Sequence, residues 1–194
     1  MPPTICVYSS SSEAIAPGFF AVATELGTAM AQRGYALVYG GGRVGLMGAV
    51  ARAVHAQGGH VIGVIPGHLR TREVAYEAAD ELIVTGDLRE RKAIMEARAD
   101  AFVGLPGGFG TLEEIFEILT LKQLHRQTRP LVLLNAHGFY DPLVHLFEHI
   151  YRERFARPES RDLYYIAPDV PSIFAYLDRY TPPAPPDPGG PRRV

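Results

Sequence analysis

Two adjacent carboxylates, Glu113 and Glu114, come directly after a glycine-rich turn that contains Gly107, Gly108 and Gly110. Because glycine has no Cβ atom, a ligand can lie directly on the backbone of such a turn. Consecutive residues project about 100° apart on a helix, so one carboxylate can face a ligand while the other binds backbone or a second ligand group. A carboxylate in this place can stabilise positive charge in a transition state. Both glutamates would also suit the first turn of any helix, but that interpretation leaves the glycines unexplained.

A second glycine-rich loop, G-G-G-R-V-G-L-M-G at residues 40–48, follows a predicted strand. Its backbone amides could bind an anion at the start of the next helix. Gly40, Gly42 and Gly45 fit the pattern G-x-G-x-x-G, but residues 44–72 contain no Asp or Glu that could hold the ribose of a dinucleotide. A Walker A loop is disfavoured because no Lys-Ser/Thr pair follows Gly45. The loop therefore favours a nucleoside monophosphate, with a tight strand-to-helix packing turn as the alternative.

Two polar segments could also bind an anion. Residues 87–92, D-L-R-E-R-K, place basic side chains at the start of a predicted helix, where they oppose the helix dipole. A compensating anion is expected there, either Asp87 and Glu90 or a bound phosphate, and a solvated charged face is the alternative. The four serines at 9–12 offer hydroxyl groups after the first predicted strand, as a phosphate contact or simply a polar loop.

Short apolar runs alternate along the chain with longer segments of helical period, a pattern typical of a parallel sheet covered by helices. Strands are predicted at 5–8, 36–39, 61–65, 82–84, 101–105, 131–134 and 164–166, and helices at 19–33, 46–57, 88–97, 111–125, 142–154 and 171–180. The pattern predicts an α/β fold, Rossmann-like and doubly wound, with a mostly parallel sheet of about six to seven strands and helices on both faces. Residues 1–180 are predicted to form a single domain, and the Pro/Gly-rich residues 181–194 a disordered tail.

Composition narrows the class of partner. The 194 residues carry a formal net charge of −2, which gives no bulk attraction to nucleic acid or anionic lipid. A small molecule is therefore the expected ligand, with neither nucleic acid nor a membrane as a partner, since no apolar run is long enough to cross a bilayer. The single cysteine, Cys6, cannot form an internal disulfide, and residues 1–4 do not look like a secretory leader, so a cytoplasmic location is expected.

Three motifs, taken together, resemble one family. They are the loop at 40–48, the pair Arg91-Lys92, and P-G-G-F-G-T-L-E-E at 106–114. In this order and on a chain of this size they resemble the Lonely Guy (LOG) family, the cytokinin riboside 5′-monophosphate phosphoribohydrolases, over residues 4–177. Many members carry a historical label of lysine decarboxylase, but nothing in this sequence stands out as a pyridoxal-binding site.

The resemblance implies hydrolysis of the N-glycosidic bond of adenosine 5′-monophosphates, with or without an N6 modification. The products would be the free base, a cytokinin or adenine, and ribose 5-phosphate. It implies a homodimer and needs neither a cofactor nor a metal. The residues that match family positions are the catalytic Arg91 and Glu114; the substrate-binding Glu73, Lys92, Gly108, Phe109, Gly110, Thr111, Leu112, Glu113 and Thr120; and the phosphate-binding Gly41, Gly42, Gly45, Met47 and Gly48.

The chemistry of these residue types agrees with that implication. Breaking a C1′–N bond builds positive charge on the ribose, which Glu114 would stabilise while it orients water. Arg91, always protonated, would clamp the departing base or the phosphate but is a poor proton donor. Phe109 would stack on the base or pack against the neighbouring helix. The alternative function is a non-catalytic nucleotide-binding protein, a sensor or carrier of the same fold.

One competing motif is H-x-x-E-H at His145, Glu148 and His149, a zinc-binding pattern in some metalloproteases. It lies in a late predicted helix, away from the glycine loops and without an evident third ligand. We favour an amphipathic surface or dimer helix there, and no metal site is predicted.

Overall fold

The computed structural model describes residues 2–70 and 75–183. Seven strands form one sheet: β1 Thr4–Tyr8, β2 Ala36–Tyr39, β3 Val61–Pro66, β4 Glu81–Thr85, β5 Ala101–Gly104, β6 Leu131–Leu134 and β7 Tyr165–Ala167. The helices are α1 Pro17–Gln32, α2 Gly45–Ala56, α3 Gly67–Arg70, α4 Leu88–Arg98, α5 Phe109–Gln123, α6 Asp141–Arg152 and α7 Val170–Leu177. Short 3-10 turns lie at Ala136–Gly138 and Pro158–Leu163.

The strand order, β4-β3-β2-β1-β5-β6-β7, determines where a ligand can bind. All adjacent pairs are parallel. The chain builds outward from β1 in one direction through β4, and then returns along α4 to build in the other direction from β5. The order therefore reverses between β1 and β5, and the crevice at the carboxyl ends of these two strands is the expected ligand site of such a sheet.

Helices cover both faces of the sheet because alternate residues of each central strand are buried on opposite sides. Val7 of β1 and Tyr39 of β2 belong to one core cluster, with α1, α2 and α7. Cys6 and Tyr8 belong to the other, with α4 and α5. All five residues of β1 are buried, as expected for the central strand of a doubly wound sheet.

The structure confirms the predicted α/β fold and refines it, because the sheet is parallel throughout. One helix start was wrong: the helix predicted to begin at Thr111 is α5, which begins at Phe109 and has Gly108 as its N-cap. Thr111 is instead 5% exposed and packs beneath Gly107. The single domain to residue 180 stays a prediction, and most of the predicted tail, residues 184–194, lies outside the described residues. Within the described ranges, no helix combines the length and apolar character that a membrane span requires.

Candidate active site

Arg91 and Glu114 meet at the reversal of strand order. Helix α4 starts beside the end of β4, where the Asp87 carboxylate caps it by accepting the amides of Arg89 and Glu90, both at 2.8 Å. Arg91 is therefore in the first helical turn, at the carboxyl edge of the sheet. Its Nη2 atom lies 3.6 Å from Oε1 of Glu114, which is in the second turn of α5, and each side chain is only 11% exposed.

The guanidinium of Arg91 lies directly on the backbone of Gly40, the residue that follows β2. A Cβ atom at this position would be 2.0 Å from Nη2 of Arg91 and 3.1 Å from the sulfur of Met47. Any side chain at this position would have to displace the guanidinium. The first glycine of the loop at 40–48 therefore allows the observed position of Arg91, a role that the pattern G-x-G-x-x-G did not reveal.

Glu114 is a buried carboxylate without a hydrogen bond to any of the described residues. Desolvation raises its pKa to about 7, although the positive charge of Arg91 lowers it, and the nearby Glu113 and Glu117 add to the increase. The Nε atom of Arg91 is also buried and has no partner among the described residues. The pair thus holds a carboxyl group that titrates near neutral pH, as expected for a catalytic acid or base.

Lys92 points along α5 and does not face Arg91. Its ammonium group hydrogen-bonds to Glu113 and lies 2.9 Å from a carboxylate oxygen of Glu117. Desolvation lowers the pKa of Lys92, but these two carboxylates raise it by more. The anions that compensate this basic segment are therefore side chains of the protein: Asp87 at the cap, and Glu113 and Glu117 across the helix pair.

The turn before α5 presents an open backbone surface. The first intrahelical hydrogen bond runs from the amide of Leu112 to the carbonyl of Gly108, so the amides of residues 109–111 precede it and need other acceptors. A Cβ atom added at Gly108 or Gly110 would meet nothing within 4 Å, and neither residue has a left-handed φ. Neither packing nor backbone conformation requires glycine at these two positions. Phe109 between them is 93% exposed.

The loop at 40–48 is arranged differently. The carbonyl of Ser10, in the loop after β1, accepts the amides of Leu46 and Met47 in the first turn of α2, at 2.9 and 3.4 Å. Gly45 has φ +59° and packs so closely on residues 10 and 11 that a Cβ atom would lie 2.6 Å from the Ser10 carbonyl. Two of the amides expected to cradle a phosphate are therefore capped by the chain itself.

The remaining predicted residues are dispersed. Thr120 lies on the exposed face of α5, six residues or about 9 Å of helix rise beyond Glu114, and its hydroxyl donates to the carbonyl of Phe116 at 2.7 Å. Glu73 lies outside the described residues.

In the H-x-x-E-H motif, Glu148 forms a bidentate pair with Arg161. Within residues 2–70 and 75–183, no three His, Cys, Asp or Glu side chains are grouped so that they could hold a metal ion.

The lysines of the chain, Lys92 and Lys122, do not form a pyridoxal site. Pyridoxal enzymes need a lysine amine for the Schiff base. Lys92 is held by two carboxylates, and Lys122 is buried towards the opposite edge of the sheet, where it donates to the carbonyl of Arg129 and to Tyr180 Oη at 2.6 and 3.1 Å. The residues present do not fit a pyridoxal cofactor.

Comparison with known proteins identifies the family. The model of a family described as "Possible lysine decarboxylase" matches residues 47–177. The chain is 44% identical over 178 residues to the cytokinin riboside 5′-monophosphate phosphoribohydrolase LOG of Oryza sativa subsp. japonica, covering 92% of this chain and 74% of the rice protein. It is 42% identical to LOG7 of Arabidopsis thaliana, with coverage of 92% and 82%. The chain belongs to the LOG family.

Solved structures extend this comparison to the fold. The molybdenum cofactor carrier protein of Chlamydomonas reinhardtii superposes with a TM-score of 0.69 at 26% identity, covering 92% of this chain and 98% of the carrier. A molybdenum cofactor binding protein of Rippkaea orientalis, at 24% identity and TM-score 0.69, covers 92% of this chain and 96% of its own, and shows the fold alone. The LOG-family chain thus shares its architecture with carrier proteins.

Proposed function

We propose that this LOG-family protein hydrolyses the N-glycosidic bond of adenosine 5′-monophosphates, plain or N6-modified, to release the free base and ribose 5-phosphate. The observation that carries the proposal is Glu114: a carboxylate that is only 11% exposed and has no hydrogen bond to the described residues, 3.6 Å from Arg91, at the reversal of strand order. A desolvated carboxylate without hydrogen bonds destabilises the folded protein, and such groups are typical of sites that bind or transform a ligand. Relatives named as phosphoribohydrolases support the same reaction.

The reaction follows from the charges at this site. As the C1′–N bond breaks, its electron pair leaves with the base and positive charge develops on the ribose, where the Glu114 carboxylate stabilises it. Water adds to C1′ and loses a proton to Glu114. Because this carboxyl titrates near 7, it can release the proton again to the departing base. Arg91 stays protonated throughout and balances the charge of the carboxylate or the base.

Activity assays with variants test this proposal. Purified protein is incubated with AMP and, separately, with isopentenyladenosine 5′-monophosphate, and free base is measured by chromatography. We expect Glu114→Gln and Arg91→Met each to lower kcat by about 100-fold or more, because each removes a charge that the transition state needs. Arg89→Met, at an exposed position on the same helix as Arg91, is the matched control and should retain kcat within about threefold.

A second candidate function is carriage without turnover. It is favoured by the structural similarity to proteins described as molybdenum cofactor carriers. If neither nucleotide yields free base with the unchanged protein while equilibrium dialysis shows that AMP binds, the enzyme proposal fails and the carrier proposal replaces it. A buried carboxylate next to an anionic ligand would weaken such a carrier, so Glu114→Gln should then bind AMP more tightly.

We also propose that the glycine turn before α5 takes part in binding the nucleotide, with its first-turn amides facing the phosphate. The open space above Gly108 and Gly110 supports this site, whereas the Ser10 carbonyl already occupies part of the loop at 40–48. Gly110→Ala adds a methyl group that meets nothing in the free protein. It should raise KM and the inhibition constant of ribose 5-phosphate about tenfold or more without lowering the unfolding temperature. Unchanged constants would instead favour the predicted phosphate residues Gly41, Gly42, Gly45, Met47 and Gly48.

We further propose a homodimer that covers the exposed face of α5. Phe109, Phe116 and Leu124 on this face are 93%, 36% and 62% exposed, more apolar surface than one exposed helix face usually carries. Thr120 lies among them, too far along α5 to share a ligand easily with Glu114 of the same chain. A second copy would bury this face and bring Thr120 towards the partner's site.

Sedimentation velocity tests the homodimer. Leu124→Lys places a charge on the proposed interface at a helix end where a cation suits the dipole, so the fold should persist. We expect a monomer with reduced activity. Val84→Lys, at a 49% exposed position on the edge strand β4, is the control and should leave the dimer intact. A dimer that survives Leu124→Lys unchanged, or a monomeric unchanged protein, would contradict this interface.

The cytoplasm is the proposed location. The single cysteine, Cys6, is buried in β1 and unpaired, as is usual for proteins of a reducing compartment. Fractionation of cells that express the tagged chain tests this, and recovery in an extracellular fraction would contradict it.

A further inference from the structure

The hydrogen-bond ladder between strands β1 and β5 ends at the crevice. Their ladder ends with the amide of Leu105 donating to the carbonyl of Tyr8 at 2.9 Å. Because Tyr8 pairs with Gly104, the next rung would run from the Ser10 amide to the Leu105 carbonyl. Instead, the Leu105 carbonyl accepts the hydroxyl of Tyr140 at 2.7 Å, and the Ser10 carbonyl turns towards α2. The carbonyls of Leu105 and Ser10 are therefore hydrogen-bonded to groups that belong to the two different core clusters, one on each face of the sheet.

The hydroxyl of Tyr140 is held firmly in place. Its side chain is 1% exposed, and its backbone amide donates to Oδ1 of Asn135 at 2.7 Å. The amide group of Asn135 in turn donates to Asp141 at 2.7 Å, at the start of α6. Burial raises the pKa of Tyr140, so the hydroxyl keeps its proton and remains a donor at neutral pH.

From this geometry we infer that Tyr140 is a positioning residue for the reaction. It fixes the carbonyl immediately before Pro106 and thereby sets the direction of the turn that leads into α5. Gly108, Gly110 and Glu114 all depend on that direction. The inference rests on the proposed hydrolase function, and it assigns to the loop after β6 a part in catalysis although Tyr140 does not touch the substrate.

Two tyrosine-to-phenylalanine variants test this inference. Tyr140→Phe removes the hydroxyl that holds Leu105. Tyr180→Phe removes a comparable bond, from Tyr180 Oη to the carbonyl of Thr128 at 2.6 Å, near the opposite edge of the sheet. Both variants lose a hydrogen bond from a tyrosine hydroxyl to a backbone carbonyl, but only the first bond lies at the crevice.

We expect Tyr140→Phe to lower kcat about tenfold or more while KM changes less than about threefold, because Glu114 acts mainly in the transition state. Tyr180→Phe should leave both constants within about twofold. If the two variants lose activity equally, or if neither does, Tyr140 has only a structural role. Should Tyr140→Phe fail to fold, Asn135→Ala removes the acceptor of the Tyr140 backbone amide, keeps the hydroxyl, and should show the same split between kcat and KM.

Amide hydrogen exchange separates this inference from the proposed function. In Tyr140→Phe the amides of Leu105 and Leu112, which are hydrogen-bonded to the carbonyls of Tyr8 and Gly108, should exchange about tenfold faster than in Tyr180→Phe, whether or not the protein hydrolyses a nucleotide. Faster exchange in a protein without hydrolase activity would uphold the positioning of the turn and refute the reaction. Unchanged exchange at Leu105 and Leu112 would overturn the inference even if the hydrolase activity is confirmed.

Discussion

Gly40 and Arg91 occupy contiguous space, since the Cβ atom that any other residue would add at 40 lies 2.0 Å from the guanidinium of Arg91. The two residues come from different parts of the chain, one after β2 and the other in the first turn of α4. The position of Arg91, the proposed catalytic side chain, therefore depends on the absence of a side chain 51 positions earlier in the sequence.

Gly40→Ala should consequently slow the proposed reaction although it leaves Arg91 and Glu114 in the sequence. The methyl group must push the guanidinium away from Glu114, and we expect kcat/KM to fall by about 10- to 100-fold. Gly67→Ala is the control, because its Cβ would be 3.6 Å from Val84, an ordinary contact. Steady-state kinetics of both variants check the prediction, which is contradicted if Gly40→Ala retains the rate of the unchanged protein.

The rate should depend on the ionisation of Glu114. Burial raises the pKa of this carboxyl to about 7, and the proposed reaction needs the carboxylate form. The ionised fraction grows as the pH rises through the pKa, so kcat/KM should increase tenfold per pH unit below about 7 and level off above it. A profile that is flat or falls between pH 5.5 and 8.5 would show that Glu114 acts in another form.

Glu117→Gln should move the midpoint of that profile to lower pH. Glu117 raises the pKa of Glu114 by charge repulsion, and it also neutralises Lys92, whose charge lowers that pKa. Loss of the Glu117 charge should therefore lower the pKa of Glu114 in both ways. Lys92→Met should move the midpoint to higher pH. Shifts of roughly 0.2–0.5 units are expected at low salt and smaller ones at high salt. A midpoint that both variants leave unchanged would belong to another group, such as the phosphate of the substrate.

Lys122 should make stability depend on alkaline pH. Desolvation lowers its pKa from 10.5 to about 8, so below pH 8 the folded protein holds a charge that is more stable in the unfolded chain. As the pH rises from 8 to 10.5 the folded state loses this disadvantage. The unfolding free energy of the protein minus that of Lys122→Met should therefore increase by about 1–3 kcal/mol over this range. Urea unfolding at successive pH values measures it, and a constant or decreasing difference would contradict the prediction.

Much of the fold could be predicted from the sequence because buried parallel strands are nearly continuous apolar runs, as in A-L-V-Y at 36–39 and L-V-L-L at 131–134. The start of α5 could not be predicted. Threonine is a common helix cap, but here its side chain packs beneath Gly107, and the cap passes to a glycine that has no capping group. Tertiary packing overrides the local preference at this position.

Only part of the candidate site could be predicted from the sequence, again because tertiary packing decides the rest. The motifs brought Arg91 and Glu114 forward as candidates, yet their separation of 3.6 Å and the raised pKa of Glu114 depend on how α4 packs against α5. Lys92 has the residue type of a phosphate ligand, but Glu113 and Glu117 on the neighbouring helix hold it. Tyr140 carries no motif, and only the end of the β1–β5 ladder reveals its hydrogen bond to Leu105.

The carbonyl of Ser10 occupies a place at the start of α2 where a phosphate group could otherwise bind. In dinucleotide-binding folds, the pyrophosphate takes the amides at the start of the helix after the glycine-rich turn. Here the Ser10 carbonyl accepts the amides of Leu46 and Met47, so a pyrophosphate would have to compete with this carbonyl for them. In the proposed binding mode, a ligand with one phosphate uses the turn before α5 without displacing Ser10, whereas a pyrophosphate at the start of α2 would have to break the cap of that helix. The proposed preference for a nucleoside monophosphate over a dinucleotide would then come from the backbone of the loop after β1 rather than from a side chain.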